Sequence, residues 1–196
     1  MTFRRIAVVA ALFIALSPAR AERFATMAEA QKLMFPAATE LQSRALRYSP
    51  SDARAIEKLA GSKLLKTANR MWVAREGTNI LGVVFHDQVL GKHEVIDYAV
   101  AVTPSGQVKS IEVLEYRESY GGEIRGAKWR SQFRGKTAGA PLTLNRDIYN
   151  LSGATISCRN VTEGVKRMLA VFETVVRPQL LAVDRVPITA VTNDSR

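Results

Sequence analysis

Residues 78–118 read TNILGVVFHDQVLGKHEVIDYAVAVTPSGQVKSIEVLEYRE and decide the fold class. Runs rich in Val, Ile, Phe and Tyr are separated by turn residues at 91–92 and at 104–106. Another such run, KTANRMWVARE at 66–76, precedes them across turn residues 77–79. Short β-rich runs that are joined by turn residues are typical of antiparallel strands in hairpin order. The sequence therefore predicts an antiparallel meandering sheet.

Two helices are expected before this sheet. In RFATMAEAQKLMF, at 23–35, Thr26 and Glu29 have the spacing of a capping box, and the following proline ends the helix. In SPSDARAIEKLAG, at 49–61, Ser49 is placed to cap a second helix, which Gly61 ends. Helical segments are thus expected on the N-terminal side of the sheet.

A long helix is expected after the sheet, from about Ser157 to Val176, where Arg177-Pro178 ends it. Apolar residues recur at helical spacing in this segment and form one face. This face consists of Val161, Val165, Met168, Leu169, Phe172 and Val176. The predicted fold class is α+β: an antiparallel meandering sheet packed against a long C-terminal helix, with N-terminal helices.

The first residues, MTFRRIAVVAALFIALSPARA at 1–21, are typical of a secretory signal. Arg4 and Arg5 precede an apolar run, and Ala19-Arg20-Ala21 offers small residues for cleavage. The apolar run at 6–16 is shorter than the roughly 20 residues that a membrane-spanning helix needs, so a retained anchor is the less favoured alternative. We expect cleavage before Glu22 and a periplasmic protein.

The chain is expected to divide into four segments. These are a signal peptide at 1–21, an N-terminal helical segment at 22–45, the main domain at 46–177 and a C-terminal tail at 178–196. Within the main domain, the glycine-rich residues 121–140 are expected to form a functional loop with a short helix around AKWRSQF. Because Cys158 is the one cysteine, no internal disulfide can form and core packing must stabilise the fold.

The charge of the chain favours acidic partners or anionic ligands. The formal net charge is +10, and removal of Arg4, Arg5 and Arg20 with the signal peptide leaves +7. Nucleic acid is not an expected partner, because we expect export and find no basic stripe with interleaved aromatic residues. A solvated basic surface is the plain alternative.

The stretch LSGATISCRN, at 151–160, carries the clearest chemical signal. Small residues, Ser152-Gly153-Ala154-Thr155, enter the long helix and place two hydroxyls next to backbone N–H groups that lack partners. The start of a helix favours phosphate, because its N–H groups and the aligned peptide dipoles carry partial positive charge. Gly153 also lets a bulky ligand approach the backbone. Ordinary helix capping by these residues is the alternative.

The longer segment DIYNLSGATISCRNVTEGV, at 147–165, resembles the Ser/Thr-Gly-Ala-Thr flavinylation segment of the FMN-binding domain family. This family includes the C subunit of the sodium-translocating NADH:quinone reductase and the G subunit of the Rnf complex. The resemblance spans roughly residues 24–176 and includes VKSIEVLEYRESYGGEIRGAKWRSQFRGKT, at 108–137, which is similar to the loop on the flavin side. It implies that the main domain, at 46–177, is an FMN-binding domain.

The resemblance implies covalent FMN, joined by a phosphoester bond to the last threonine of the tetrad, which is Thr155 here. A magnesium-dependent FMN transferase that uses FAD as donor would attach it after export. The remaining partners would be redox donor and acceptor proteins, some of them membrane-bound. The cofactor-binding residues implied are Thr155, Ser152, Gly153, Ala154, Ile156, Glu118, Tyr120, Gly121, Gly122 and Trp129.

Two features depart from the family pattern. The acidic residue usually found a few positions before the tetrad would correspond to Asp147, which lies five residues before Ser152. The family's Glu-Thr-Pro-Gly-Leu-Gly loop is replaced by ESYGGE at 118–123.

Other candidate residues have competing interpretations. Tyr116, Tyr120 and Trp129 would either stack beside a flavin ring or pack in the core. Cys158 would be either a reactive thiolate at the helix start or, as we favour, a buried and inert thiol. His86 and His93 have no Cys or His cluster near them in the sequence, so no metal site is expected.

We favour an exported flavoprotein that carries FMN on Thr155 and relays electrons. Such a carrier needs no acid or base of its own, so no catalytic residue is predicted. One alternative is a periplasmic flavin-dependent reductase of a small molecule, which a pocket lined by Tyr120, Trp129 and Arg130 would favour. The other is a basic binding module without flavin.

Overall fold

The computed structural model describes residues 22–65, 70–118 and 120–183. The expected signal peptide at 1–21, the start of the run at 66–76, Ser119 and the residues of the tail at 184–196 lie outside these ranges. Among the described residues, no helix is both long and apolar enough to cross a membrane.

The first expected helix is present as α1 (Met27–Met34) and begins at a complete capping box. The Thr26 hydroxyl accepts a hydrogen bond from the backbone N–H of Glu29, and the Glu29 carboxylate accepts from the backbone N–H of Thr26. The predicted cap therefore sets the start of α1.

The second expected helix is α2 (Pro50–Ala60), which is capped in the same way by Ser49 and Asp52. Gly61 ends it with a φ of 70°, a left-handed conformation that glycine adopts at low cost. Both N-terminal helices are thus specified by signals within their own sequences.

The described residues form one six-stranded antiparallel sheet. Its strands are β1 (Glu22–Arg23), β2 (Glu40–Ala45), β3 (Arg70–Glu76), β4 (Asn79–Leu90), β5 (Val95–Val102) and β6 (Val108–Tyr116). The order across the sheet is β1-β6-β5-β4-β3-β2. Strands β3 to β6 follow one another in chain order, which confirms the predicted meander.

Residues 22–45, expected to be helical, also contribute the two edge strands of the sheet. β1 pairs with β6 at one edge, and β2 pairs with β3 at the other. The side chains of β2 are largely exposed, so its sequence, ELQSRA, lacks the apolar alternation by which a strand is recognised. Backbone pairing with β3 and the partly buried Leu41 side chain join β2 to the sheet, and residues 22–45 therefore belong to the same folding unit as the strands that follow.

The long C-terminal helix begins as α4 (Thr155–Val171), two residues earlier than expected. The predicted apolar face is fully buried, which confirms its orientation toward the sheet. The expectation that Arg177-Pro178 ends the helix is wrong. A π turn at Phe172–Val176 leads into α5 (Arg177–Val183), so residues 178–183 are helical and not tail. The wider turn precedes Pro178, which lies in the first turn of α5, where a missing N–H is tolerated.

The sheet carries an apolar layer on each face. α2 and α4 cover the larger core, which includes Phe85, Tyr98, Val100 and Ile111 from the strands. α1 covers the opposite face, where Ala74, Ala99 and Ala101 leave room for Met34 and Phe35. The long helix is therefore held between the sheet and α2.

The segment between β6 and α4 is packed against the core. It contains a 3₁₀ turn at Gly122–Arg125, then α3 (Ala127–Arg130) and a second 3₁₀ turn at Ser131–Phe133. The short helix expected around AKWRSQF is thus present. Trp129 and Phe133 pack edge to face with ring centroids 5.1 Å apart, and both are buried.

Candidate functional site

The start of α4 differs from the starts of α1 and α2 in having no side-chain cap. Ala154 occupies the N-cap position with φ −123° and ψ 21°, and it offers no side-chain acceptor to the first turn. The N–H groups of Thr155, Ile156 and Ser157 cannot find acceptors inside the helix, because no preceding turn exists. These groups and the helix dipole make this helix start suitable for an anion.

Thr155, the first residue of α4, presents an exposed hydroxyl. The Nδ2 group of Asn150 donates a hydrogen bond of 2.8 Å to Thr155 Oγ1. The Oδ1 atom of the same amide accepts from the backbone N–H of Leu151 at 2.9 Å. Thr155 is therefore held by a neighbour that lies five residues earlier in the chain.

Thr155 lies at the edge of a cleft of about 560 Å³. The cleft is formed by the β4–β5 turn, the beginning of the segment that follows β6, and the start of α4 with the two residues before it. Its lining consists of Lys92, His93, Glu118, Tyr120, Gly153, Ala154, Thr155, Ile156 and Ser157. Of the expected cofactor-binding residues, the fold thus brings Glu118 and Tyr120 to the same cleft as the end of the tetrad.

Glu118 joins the two sides of this cleft. Its Oε1 atom accepts from the backbone N–H groups of His93 at 2.6 Å and Glu94 at 3.0 Å. Burial alone would raise the pKa of Glu118, but these N–H groups outweigh it and lower the pKa below the ordinary 4.5. The carboxylate is therefore charged at neutral pH and fixes the β4–β5 turn.

Tyr116 ties the segment after β6 to the start of α4. Its hydroxyl donates to the backbone carbonyl of Tyr120 at 2.6 Å and lies 3.3 Å from Ser157 Oγ. Burial raises the pKa of Tyr116, so the phenol remains a donor at neutral pH. Tyr116 is only 4% exposed, so of its two interpretations the structure supports packing in the core.

Gly121 allows this segment to pass against the helix start. Its φ is 85°, and a Cβ atom here would collide with the Ala154 side chain and lie 2.8 Å from the Tyr116 hydroxyl. Gly153 also has a positive φ, 79°, but a Cβ there would meet no atom within 4 Å. One glycine is required by close packing, and the other leaves open space beside Thr155.

Tyr120 and Ile156 give the cleft an exposed apolar rim. Tyr120 is 81% exposed and Ile156 is 41% exposed, so both offer apolar surface to a ligand in the cleft. Ser152 and Gly153 are exposed at the same end of α4, and Gly122 begins the 3₁₀ turn after Gly121. Ser152 and Gly122 do not line the cleft.

Trp129 lies in the core and not in the cleft. It is 1% exposed, and its Nε1 group donates to the carbonyl of Tyr149 at 3.1 Å. Arg130 turns to the other side, where it donates to the carbonyls of Ile111 and Arg125 and pairs with a glutamate of β6. The pocket that would favour a small-molecule reductase, lined by Tyr120, Trp129 and Arg130, is therefore not formed.

Asp147 stabilises the preceding loop and makes no hydrogen bond to Thr155. Its Oδ1 accepts from the Thr143 N–H at 2.7 Å, and its Oδ2 accepts from the Leu142 N–H at 3.1 Å and from Lys136 Nζ at 2.9 Å. Burial opposes ionisation, but these donors lower the pKa of Asp147. The residue that contacts Thr155 is Asn150.

Cys158 and the histidines are separate from this chemistry. Cys158 is fully buried, and burial raises the pKa of its thiol, as expected of the inert alternative. His86 pairs with Asp97 on the sheet face that carries α1, whereas His93 lines the cleft. Within the described ranges, no three His, Cys, Asp or Glu side chains are grouped as metal ligands.

A second cleft, of about 390 Å³, adjoins Thr155 on the side of α2. Arg159 and Lys166 of α4 line it together with Glu163. These basic residues therefore lie beside the helix start, although on the other side of Thr155 from Tyr120 and Glu118.

An exposed hydroxyl at an uncapped helix start, beside an open and partly apolar cleft, is an arrangement that can accommodate a phosphate-bearing aromatic ligand. The FMN-binding domain family model matches residues 91–170. The G subunit of the proton-translocating ferredoxin:NAD(+) oxidoreductase complex of Clostridium ljungdahlii is 30% identical over 135 residues, which cover 65% of this chain and 69% of that protein. The chain belongs to the FMN-binding domain family. The resemblance inferred from the sequence is thereby confirmed.

A solved structure is also similar to the chain. It is the crystal structure of Shewanella oneidensis NqrC, whose superposition covers 75% of this chain and 73% of the NqrC chain. The TM-score is 0.48 and the sequence identity is 21%.

Sequence reasoning missed the contact between Asn150 and Thr155 and did not include Lys92 or Ser157 among the lining residues. Asparagine five residues before the threonine is not part of the tetrad, so no motif pointed to it. Lys92 lies in a turn between strands, and the packing of α4 on β4 and β5, with Asn160 bonded to the Leu90 carbonyl, brings that turn to the helix start.

Proposed function

We propose that this protein is an exported flavoprotein, in which FMN is joined to Thr155 by a phosphoester bond and passes electrons between redox partners. Membership of the FMN-binding domain family supports the cofactor. The observation that carries the attachment site is the exposed Thr155 hydroxyl at an uncapped helix start, on the edge of the cleft.

The residues present fit such a group. The first-turn N–H groups of α4 and the open space at Gly153 suit a phosphate on Thr155 Oγ1. Tyr120 and Ile156 offer exposed apolar surface to an aromatic ring in the cleft. Glu118 holds the opposite wall by its bonds to the β4–β5 turn.

Flavin supplies one-electron and two-electron redox chemistry when it is bound. The chain's own residues would bind and orient it, and the Tyr120 side chain would cover part of it from solvent. No residue of the cleft is required as a proton donor for electron relay, so Thr155 is a modification site and not a catalytic nucleophile.

The proposal requires a maturation enzyme and redox partners. The enzyme is an FMN transferase that uses FAD and magnesium, as the flavinylation segment implies. The relative from Clostridium ljungdahlii is named as one subunit of an oxidoreductase complex, which supports partners that are assembled with this protein. The open cleft leaves such partners access to the cofactor.

The test is replacement of Thr155 by valine, followed by coexpression with the transferase. The change nearly preserves the side-chain shape but removes the oxygen that would carry the phosphoester. We expect the wild-type chain to gain the mass of one FMN less one water and to fluoresce in a denaturing gel, and Thr155→Val to do neither while remaining folded.

Two controls accompany this test. Thr78→Val changes an exposed threonine in the β3–β4 turn and should leave loading intact. Ser152→Ala should slow flavinylation without abolishing it. If Thr155→Val still carries covalent FMN while Ser152→Ala does not, the attachment site is wrong. A wild-type chain that never gains flavin would favour the basic binding module.

A further inference from the structure

The side-chain amide of Asn150 is oriented unambiguously by its two hydrogen bonds. The backbone N–H of Leu151 can only donate, so the atom that it contacts at 2.9 Å must be Oδ1. The group that faces Thr155 Oγ1 at 2.8 Å must then be the Nδ2 amine, which can only donate. Thr155 is therefore the acceptor in this contact.

This direction of donation determines where the Thr155 hydroxyl proton points. One lone pair of Oγ1 is engaged by Asn150, and the proton cannot be directed toward Nδ2. Among the residues that the structure describes, no other side chain hydrogen-bonds this hydroxyl. The O–H bond and the remaining lone pair are thus left for an incoming enzyme and its substrate.

We infer that Asn150 is a positioning residue for the covalent modification of Thr155: it holds the acceptor oxygen in one rotamer and keeps its proton available to a base of the transferase. The inference rests on the proposed function. Asp147, the acidic residue expected near the tetrad, is bonded within the preceding loop and does not contact Thr155. Asn150 is the side chain that contacts the Thr155 hydroxyl.

The chemistry of the step accounts for the choice of an amide. Thr155 Oγ1 forms a bond to the FMN phosphorus of FAD, the pyrophosphate P–O bond breaks, AMP leaves, and the hydroxyl proton passes to the base. A neutral donor next to Oγ1 does not repel the approaching phosphate, whereas a carboxylate would both repel it and compete for the proton. The amide can continue to donate to the ester oxygen after the reaction.

The experiment compares flavinylation rates of purified, unmodified chains with transferase, FAD and magnesium. The variants are Asn150→Ala, which removes the amide, and Asn150→Asp, which retains an acceptor for the Leu151 N–H and so preserves the loop. Asn160→Ala is the matched control, because Asn160 also donates through Nδ2, at 2.6 Å to the carbonyl of Leu90, without touching Thr155.

We expect both Asn150 variants to react at least about tenfold more slowly, since a misplaced nucleophile loses a large part of its effective concentration. The loss should be in kcat, with KM for the protein substrate unchanged, and Asn160→Ala should react at the wild-type rate. After prolonged reaction, the ³¹P resonance of loaded Asn150→Ala should differ from that of wild type, because the ester oxygen has lost its donor.

The possible results distinguish the role of Asn150 from the flavinylation of Thr155 itself. Wild-type rates in either Asn150 variant would overturn the role of Asn150 and leave flavinylation of Thr155 standing. A slow Asn150→Ala variant with an unchanged ³¹P resonance would also overturn it, because the defect would then lie elsewhere in the fold. A wild-type chain that gains no flavin would overturn both.

Discussion

The carboxylate of Asp87 and the guanidinium of Arg167 form a buried ion pair, with Oδ2 of Asp87 3.0 Å from Nη2 of Arg167. The Tyr98 hydroxyl donates to the same carboxylate oxygen at 2.7 Å. Burial raises the pKa of Tyr98 well above its ordinary value, so the phenol remains a donor. Through this cluster, α4 is fastened to β4 and β5, and the helix start that bears Thr155 is placed over the cleft.

Gly164 makes this cluster possible. A Cβ atom at this position would collide with the Tyr98 hydroxyl, so the absence of a side chain lets the tyrosine reach the backbone of α4. The close approach brings helix and sheet together at the point where their polar groups meet.

Replacement of Arg167 by methionine should lower the free energy of unfolding by about 3–5 kcal/mol, because it leaves the fully buried Asp87 carboxylate without its compensating cation. Urea unfolding of the unmodified protein measures this. The neighbouring change Lys166→Met, on a partly exposed side chain, should cost less than about 0.5 kcal/mol. Equal effects of the two changes would show that the ion pair does not hold α4 in place.

Gly121→Ala and Gly153→Ala should differ although both positions have positive φ. Each change introduces left-handed strain of roughly 1–2 kcal/mol. At Gly121 the new methyl group also collides with Ala154 and Tyr116, so we expect a further loss of about 1–3 kcal/mol. Urea unfolding measures both effects, and equal losses would mean that the segment after β6 does not pack on the helix start.

Glu118 should make stability depend on pH in the acid range. Its pKa in the folded protein lies below the ordinary 4.5, so the stabilisation is complete above about pH 4.5 and is lost as pH falls through the folded-state pKa. Wild type should therefore exceed Glu118→Gln in unfolding free energy by a constant amount near neutral pH, and the difference should shrink below pH 4.5. If the unfolding free energies of wild type and Glu118→Gln differed by the same amount at every pH, the proposed stabilisation by the bonds between Glu118 and the β4–β5 turn would be wrong.

The mature protein is predicted to begin at Glu22, because basic, apolar and small residues follow one another in the order of a secretory signal. N-terminal sequencing of protein from a periplasmic extract should recover Glu22 as the first residue. Recovery of Met1 would contradict the prediction of export by cleavage.

The sequence by itself determined the elements whose signals are local. Thr26 with Glu29, and Ser49 with Asp52, predicted both N-terminal helix starts, because a capping box is complete within four residues. Turn residues and β-rich runs predicted the meander, because each hairpin signal also lies within one short segment of the chain. Thr155 is proposed as the attachment site from a short motif, since such a site is expected to lie in one contiguous segment that another enzyme can recognise.

The tertiary structure alone decided how these elements form a site. His93 and Glu118 lie 25 residues apart and meet only because β5 and β6 pair in a particular register. The burial of Trp129 and the pair of Asp87 with Arg167 likewise depend on packing between distant segments. The contact of Asn150 with Thr155 spans five residues, but it depends on the conformation of the turn between them. Such contacts cannot be predicted from residue type and spacing, because the partner of each residue depends on how the whole sheet pairs and how the helix packs across it.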